Sequence, residues 1–263
     1  MLKIGRINFA NLYPIFHCLQ MQCAAANPDM KYEFTEGVPS EINALLREGL
    51  IDAGPSSSIE YLRNPQLYNL IEGHSISSFG RIMSIILFSR VEIKALGGKT
   101  ILSSYQAETS TGLLQIVLRK FYNLDIEIKT SHAPLTEGIG QYPAYLLIGD
   151  NALIEAAAVE NIGLYAYDLG SLWYEHTGVP FVFALWISRR ESGSTERLRA
   201  ALDAAKAEAL SSLNLIAGNC PYTKLFSTQT LVSYWRTISY DLTGRHMEGL
   251  ELFGKYLRES GLL

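Results

Sequence analysis

The 263-residue chain is sparing with charge: Asp, Glu, Lys and Arg make up 18%, the net charge is −4, and no cluster of basic residues is present. That balance argues against a nucleic-acid partner, because phosphate backbones are held by concentrated Lys and Arg. Cysteine is scarce too. Cys18, Cys23 and Cys220 form an odd set without C-x-x-C spacing, which excludes a disulfide framework or zinc site and leaves buried thiols as the expectation. His17, His74, His132, His176 and His246 are scattered, without H-E-x-x-H or other metal-ligand spacing, so no metal is expected. The longest apolar runs, Ile82–Phe88 and Pro180–Ile187, are far shorter than the roughly 20 residues of a spanning helix and read as buried strands, with no membrane partner. Met1-Leu2-Lys3-Ile4-Gly5 enters a strand pattern at once, with no charged n-region, apolar h-region or small-residue cleavage site, so a cytoplasmic location is expected. Gly-x-Gly-x-x-Gly, a Walker loop and a Gly-x-Ser-x-Gly elbow are all missing. Nucleotide binding and serine hydrolysis therefore lose their usual support, and no cofactor is expected.

What is present is enough apolar material, 48% of residues, for a large core. The order is that of a mainly parallel sheet covered by helices. Lys3–Ile7 reads as a strand, a helix follows Asn11-Leu12-Tyr13-Pro14, and residues 31–35 form a second strand. Pro39 and Ser40 open a helix with Ile42, Leu45 and Leu46 on one face and Gly49 as its stop, before a strand at 51–53. A second series follows the Gly97-Gly98 turn: strands at 100–103, 126–129, 145–148 and 164–167, with an amphipathic helix over 111–122. The two apolar runs flank this series. If each is a strand crossing between lobes, residues 90–182 form an inserted lobe, while 1–89 and 183–263 build the other. Such an arrangement is expected to close on its ligand. The tail is helical, with Leu198, Leu202, Ala205 and Ala209 on one face and Leu250, Phe253 and Leu257 on another.

Four strand ends are rich in small polar residues: Asn8 to Asn11, Gly54 to Ser58, Ser103 to Gly112, and Ile148-Gly149-Asp150. A buried strand that turns straight into a helix leaves free N–H groups where a small ligand can meet them, so the four suggest one shared cleft. Each has a second explanation. Asn8 and Asn11 fit an Asx-turn or a helix cap as well as a hydroxyl or carboxylate contact. Ser56, Ser57, Ser58, Thr109, Ser110, Thr111 and Asp150 are all residue types that cap helices. Ser84, which interrupts an apolar run, could bond a carbonyl or face the cleft. The aromatics from Tyr165 to Trp186 read mainly as core.

Taken in order, seven blocks carry a resemblance: Gly5-Arg6-Ile7-x-x-x-Asn11-x-x-Pro14, Gly37-Val38-Pro39-Ser40-x-x-Asn43-x-x-Leu46, Asp52-Ala53-Gly54-Pro55-Ser56-Ser57, Ser103-x-x-x-x-x-Thr109-Ser110, Leu147-Ile148-Gly149-Asp150-x-Ala152-Leu153, Tyr167-Asp168-Leu169-Gly170-x-x-Trp173 and Thr177-Gly178-x-Pro180-Phe181-Val182-Phe183-Ala184. In this order they resemble the chorismate dehydratases of the futalosine route to menaquinone, across most of the chain up to the helical tail. The resemblance implies an α/β, two-lobed fold like the type II periplasmic binding proteins, with two crossover strands, used inside the cell as a lyase. It implies that chorismate loses water to give 3-[(1-carboxyvinyl)oxy]benzoate. Roles carry over to Asn11 and Ser84, near the reacting ring, and to Ser56, Ser57, Thr109 and Ser110, which would hold carboxylates. Gly149 and Asp150 join the binding set by their position. A sister enzyme, 1,4-dihydroxy-6-naphthoate synthase, looks similar but has a catalytic His where this chain reads Gly149-Asp150, which favours the dehydratase. A cytosolic module that binds a small carboxylate without reacting would use the same residues. No motif specifies an oligomeric state or identifies a proton acceptor.

Overall fold

The computed structural model describes residues 1–25, 32–193 and 195–263, without the side chains of 23–25 and 159–162. It divides into two compact units, 1–77 with 182–244 and 78–181 with 245–263, each built on one five-stranded sheet.

The first unit opens with β1 (Leu2–Ile7), α1 (Tyr13–Ala25), β2 (Tyr32–Gly37), α2 (Pro39–Glu48), β3 (Ala53–Ser57), α3 (Ser58–Arg63) and β4 (Tyr68–Ser78). β1 runs parallel to β2, with Ile4 opposite Phe34, and parallel to β3 through Ile4 and Ala53. The second strand was expected from residue 31, which lies outside the described residues. α2 matches its sequence signals: Pro39 occupies the first turn, Ile42 and Leu46 are fully buried, and Gly49 ends it at φ 74°.

The second unit contributes β5 (Ile85–Ser89), β6 (Lys99–Ser104), α4 (Glu108–Ile116), β7 (Ile126–Ser131), α5 (Leu135–Gln141), β8 (Ala144–Ile148), α6 (Gly149–Ile162), β9 (Tyr165–Asp168) and α7 (Leu169–Thr177). The sheet order is β7-β6-β8-β5-β9, with β6 parallel to β7 and β8, and β5 antiparallel to β8 and β9. The chain then returns as β10 (Phe181–Arg189), α8 (Thr195–Ser211), α9 (Leu213–Gly218) and α10 (Thr228–Thr237), and ends in α11 (Gly244–Glu259). β10 inserts between β3 and β4, giving the first sheet the order β2-β1-β3-β10-β4.

Several expected boundaries move. The strand expected at 51–53 is β3, displaced to Ala53–Ser57, so Gly54, Pro55 and Ser56 lie within the sheet, with Pro55 opposite Trp186. The run Ile82–Phe88 is not a crossing: only its later part is strand, and β5 sits inside the second sheet between β8 and β9. Residues 78–89 therefore belong with the second unit, and so do 245–263, both expected in the first. The reason for the latter is packing. Phe253 of α11 meets Phe181 edge-on at 4.8 Å and Trp173 at 6.2 Å, and Gly249 lets the helix approach the Pro180 carbonyl so closely that a Cβ would collide with it. Aromatic pairs of this geometry each add about 0.5–1.5 kcal/mol beyond area burial. The chain thus passes between units three times, at 77/78, 181/182 and 244/245. The expected amphipathic helix at 111–122 is instead α4 from Glu108, followed by a π turn over Val117–Phe121. Leu198, Leu202, Ala205 and Ala209 form the buried face of α8 as their spacing requires. Cys18 and Cys220 are buried free thiols, while the Cys23 side chain lies outside the described residues.

Candidate functional site

The eight candidate residues fall at the carboxyl edges of the two sheets, Asn11, Ser56 and Ser57 in the first unit and Ser84, Thr109, Ser110, Gly149 and Asp150 in the second. Open α/β sheets place ligands outside the carboxyl ends of their strands.

In the first unit, β1 ends at Ile7 and the chain turns through Asn8–Asn11 into α1. The turn is closed by Leu12 N–H donating to Phe9 O at 3.1 Å, and is held from distant sequence. Trp235 Nε1 of α10 donates to Ala10 O and Tyr240 Oη donates to Asn11 O, both at 2.7 Å. Burial, and then the nearby Tyr234, push the Tyr240 phenol well above its ordinary value, so it stays a donor. Neither Trp235 nor Tyr240 was singled out in the sequence, because contacts more than 200 residues apart leave no local spacing. The Asn8 amide donates to Glu36 Oε2 at 2.8 Å, a surface role. Asn11 differs: its Oδ1 is buried and accepts no hydrogen bond from the described residues. A buried acceptor left so costs about 1–3 kcal/mol, which makes it the most telling polar atom of this edge.

Ser56 and Ser57 end β3. Ser56 is fully buried and its hydroxyl donates to Asn43 Oδ1 at 2.7 Å, while Asn43 Nδ2 donates to Ser57 Oγ at 3.0 Å. Ser57 also caps α3, accepting from Glu60 N–H at 3.4 Å. Ser58, the third of the run, donates to Val182 O at 2.6 Å. Asn43, whose buried amide organises this edge from α2, was seen only as part of a family block.

In the second unit, α4 begins at Glu108, with three residues between it and the end of β6 at Ser104. Thr109 and Ser110 lie in its first turn rather than in front of it, each 5% exposed. First-turn N–H groups lack intrahelical partners and favour an anion. Thr111 Oγ1 instead pairs with Ser103 Oγ at 2.6 Å, tying the helix to its strand. Gly149 opens α6 with φ 66°, which explains a glycine there, and its N–H donates to Ser84 O at 2.8 Å. That amide is thus engaged within the protein. It joins Ser84, which is 2% exposed and just precedes β5, to Gly149 and Asp150 across the β5–β8 pair, where Ile85 stands opposite Ile148.

Asp168, at the end of β9, carries a cap signal that its sequence context shows, an Asp just before a helix, but its other contacts are tertiary. Its Oδ1 accepts from Ser171 N–H at 3.0 Å, capping α7, and its Oδ2 accepts from Ile82 N–H at 3.0 Å and Met83 N–H at 2.7 Å. Burial pushes this carboxyl above the usual carboxylate range. The Ser171, Met83 and Ile82 N–H bonds and the Arg81 guanidinium pull the other way.

Among the described residues no group of three His, Cys, Asp or Glu side chains is placed to hold a metal, and no helix is long and apolar enough to cross a membrane.

A family described as menaquinone biosynthesis matches residues 2–259. The chain belongs to that family. A chorismate dehydratase from Thermus thermophilus is 28% identical over 227 residues, covering 81% of this chain and 79% of the relative. Among solved structures, an Archaeoglobus fulgidus protein superposes with a TM-score of 0.80 at 16% identity, covering 100% of this chain and 98% of that one. The periplasmic aliphatic sulphonate binding protein of Escherichia coli gives 0.68 at 13% identity, covering 100% and 88%. The fold of this menaquinone-biosynthesis family member is therefore α/β and periplasmic-binding-protein-like.

Proposed function

We propose that this chain is a cytoplasmic hydro-lyase that dehydrates chorismate to 3-[(1-carboxyvinyl)oxy]benzoate. The reading takes its substrate from the Thermus thermophilus relative, and the observation that carries it at the site is the buried, unpartnered Oδ1 of Asn11. In the proposed reaction the ring C–H beside the enol ether is broken, the neighbouring hydroxyl departs with a proton as water, and the ring becomes aromatic. Asn11 Oδ1 accepts the O–H of the departing hydroxyl and orients it, and Ser84 contacts the substrate near the reacting ring. Negative charge developing in the ring delocalises toward the ring carboxylate, so hydroxyl and N–H donors there lower the barrier. Ser57, Thr109 and Ser110 serve as those donors, Ser56 acts on Ser57 through Asn43, and Gly149-Asp150 completes the corner beside Ser84. The ring proton goes to the substrate's own enolpyruvyl carboxylate, which passes it to the departing hydroxyl so that water leaves and the carboxylate is regenerated, with the protein fixing the geometry.

Incubating the purified protein with chorismate, without added cofactor, and separating the products tests this. The aromatic ether is expected. Intact chorismate beside an active control enzyme sinks the assignment and leaves a module that binds a small carboxylate, the second reading, which the binding-protein fold favours.

A further inference from the structure

We propose that Asp168 is a positioning residue that sets Ser84 in place by holding the backbone of residues 80–84, an inference that rests on the role assigned to Ser84 above. The segment is a built bracket. Ser78 Oγ donates to Gly80 O at 2.7 Å, and Gly80 has φ 96°. Gly170, in the first turn of α7, lies so close that a Cβ on it would collide with the Gly80 carbonyl. Met83 has φ 68°, a left-handed conformation that L side chains rarely adopt and that persists only where its surroundings enforce it. The enforcement comes from Asp168 Oδ2, which receives the N–H groups of both Ile82 and Met83, the residues just before Ser84. On the far side, Ser84 O receives Gly149 N–H. Ser84 is therefore fixed between a carboxylate that grips the chain before it and an amide that grips its own carbonyl.

The two carboxylate oxygens divide the work. Oδ1 receives the capping Ser171 N–H at 3.0 Å and a longer 3.2 Å bond from Ile82 N–H, while Oδ2 takes Ile82 N–H at 3.0 Å and Met83 N–H at 2.7 Å. An Asn side chain is as good a helix cap as Asp. Asp168→Asn can keep the cap and the longer Ile82 bond on Oδ1, but then presents an NH2 group to Met83 N–H and to the nearer Ile82 contact, so it separates the two duties. Asp168→Ser retains a capping oxygen and removes the group that reaches Ile82 and Met83.

The test combines kinetics with amide exchange. Asp168→Asn should lower turnover by about 10- to 100-fold, the loss expected when a reacting contact is displaced by about an ångström, with KM changed less than about threefold. In a Ser84→Ala background the same change should cost little more, because both act through one side chain. Equal losses in the two backgrounds, or full turnover in Asp168→Asn, overturn the proposal. Hydrogen exchange supplies the readout independent of the reaction. Both Asp168 variants should speed exchange at the Gly149 amide while the amides of 173–177 in α7 keep their protection. Unchanged protection of Gly149 overturns the bracket. If the wild-type protein does not dehydrate chorismate, the functional reading fails, and the exchange result alone decides whether Asp168 holds Ser84.

Discussion

At the carboxyl edge of the first sheet the polar side chains are largely committed to one another, through Ser56, Asn43, Ser57 and Glu60, and one side-chain acceptor, Asn11 Oδ1, stands apart. At the edge of the second sheet it is the backbone that is committed. Asp168 takes the amides of Ile82 and Met83, and the Ser84 carbonyl takes that of Gly149. Similar residue types thus do different work. Ser56 of the first unit ties one side chain to another, whereas Ser84 of the second is held through its own carbonyl on a fixed backbone.

The largest effect that can break this comparison is expected at Asn11. Asn11→Ala removes the unpartnered acceptor and should lower turnover by about 100-fold, the scale of losing one well-placed polar group at a reacting centre. Product affinity should change far less, since the product lacks the departing hydroxyl, and parallel losses in both quantities reduce Asn11 to general positioning. Next in size is Gly170→Ala, whose new methyl group would press on the Gly80 carbonyl. Overpacking of this kind costs about 1–3 kcal/mol, and denaturant melts should show it together with reduced turnover through the Ser84 bracket. A pair of serine substitutions sharpens the contrast directly. Ser56→Ala should lower stability by about 1 kcal/mol with KM raised less than about twofold, because it strips a donor from buried Asn43 and reaches the ligand only through Ser57, whereas Ser110→Ala should raise KM about tenfold with stability unchanged. The reverse pattern would show that the first edge, not the second, presents its hydroxyls to the ligand.

The smallest effect is a pH dependence within the first unit. His74 is buried on β4, and its Nε2 lies 3.0 Å from Asp203 Oδ1, with Lys206 bound to Asp241 beside it. Burial first, and then Lys206, hold the imidazole below its ordinary value against the opposing pull of Asp203 and Asp241. The folded state therefore favours neutral His74. Its contribution to stability is present above about pH 6.5, the unfolded value, and is lost as pH falls through the lower folded value. Melting temperatures from pH 7.5 downward should show that loss, and His74→Gln should flatten it.

Much of the fold was legible because periodicity and caps are local. The helix over 39–48 with its Pro39 start and Gly49 stop, and the 198/202/205/209 face of α8, needed no partner to be recognised. β4 was not foreseen. Its sequence, Tyr68–Ser78, contains Gly73, His74 and three serines with no alternating pattern, and its order comes from neighbours, including Ser77 and Ser239, which exchange backbone hydrogen bonds across more than 160 residues. The site divided in the same way. Strand ends rich in Asn, Ser and Gly marked where to look, but Trp235, Tyr240 and the two-handed grip of Asp168 arise from tertiary contacts that spacing does not encode. The run Ile82–Phe88 misled because apolar content alone does not tell a crossing segment from a central strand.

One consequence concerns engineering. Because α11 returns to the second unit, Met1 and Leu263 belong to different units, and the second unit is not a single stretch of gene. Excising 78–181 would leave Phe181 and Trp173 without Phe253, so a transplant of that unit must carry its last helix by circular permutation.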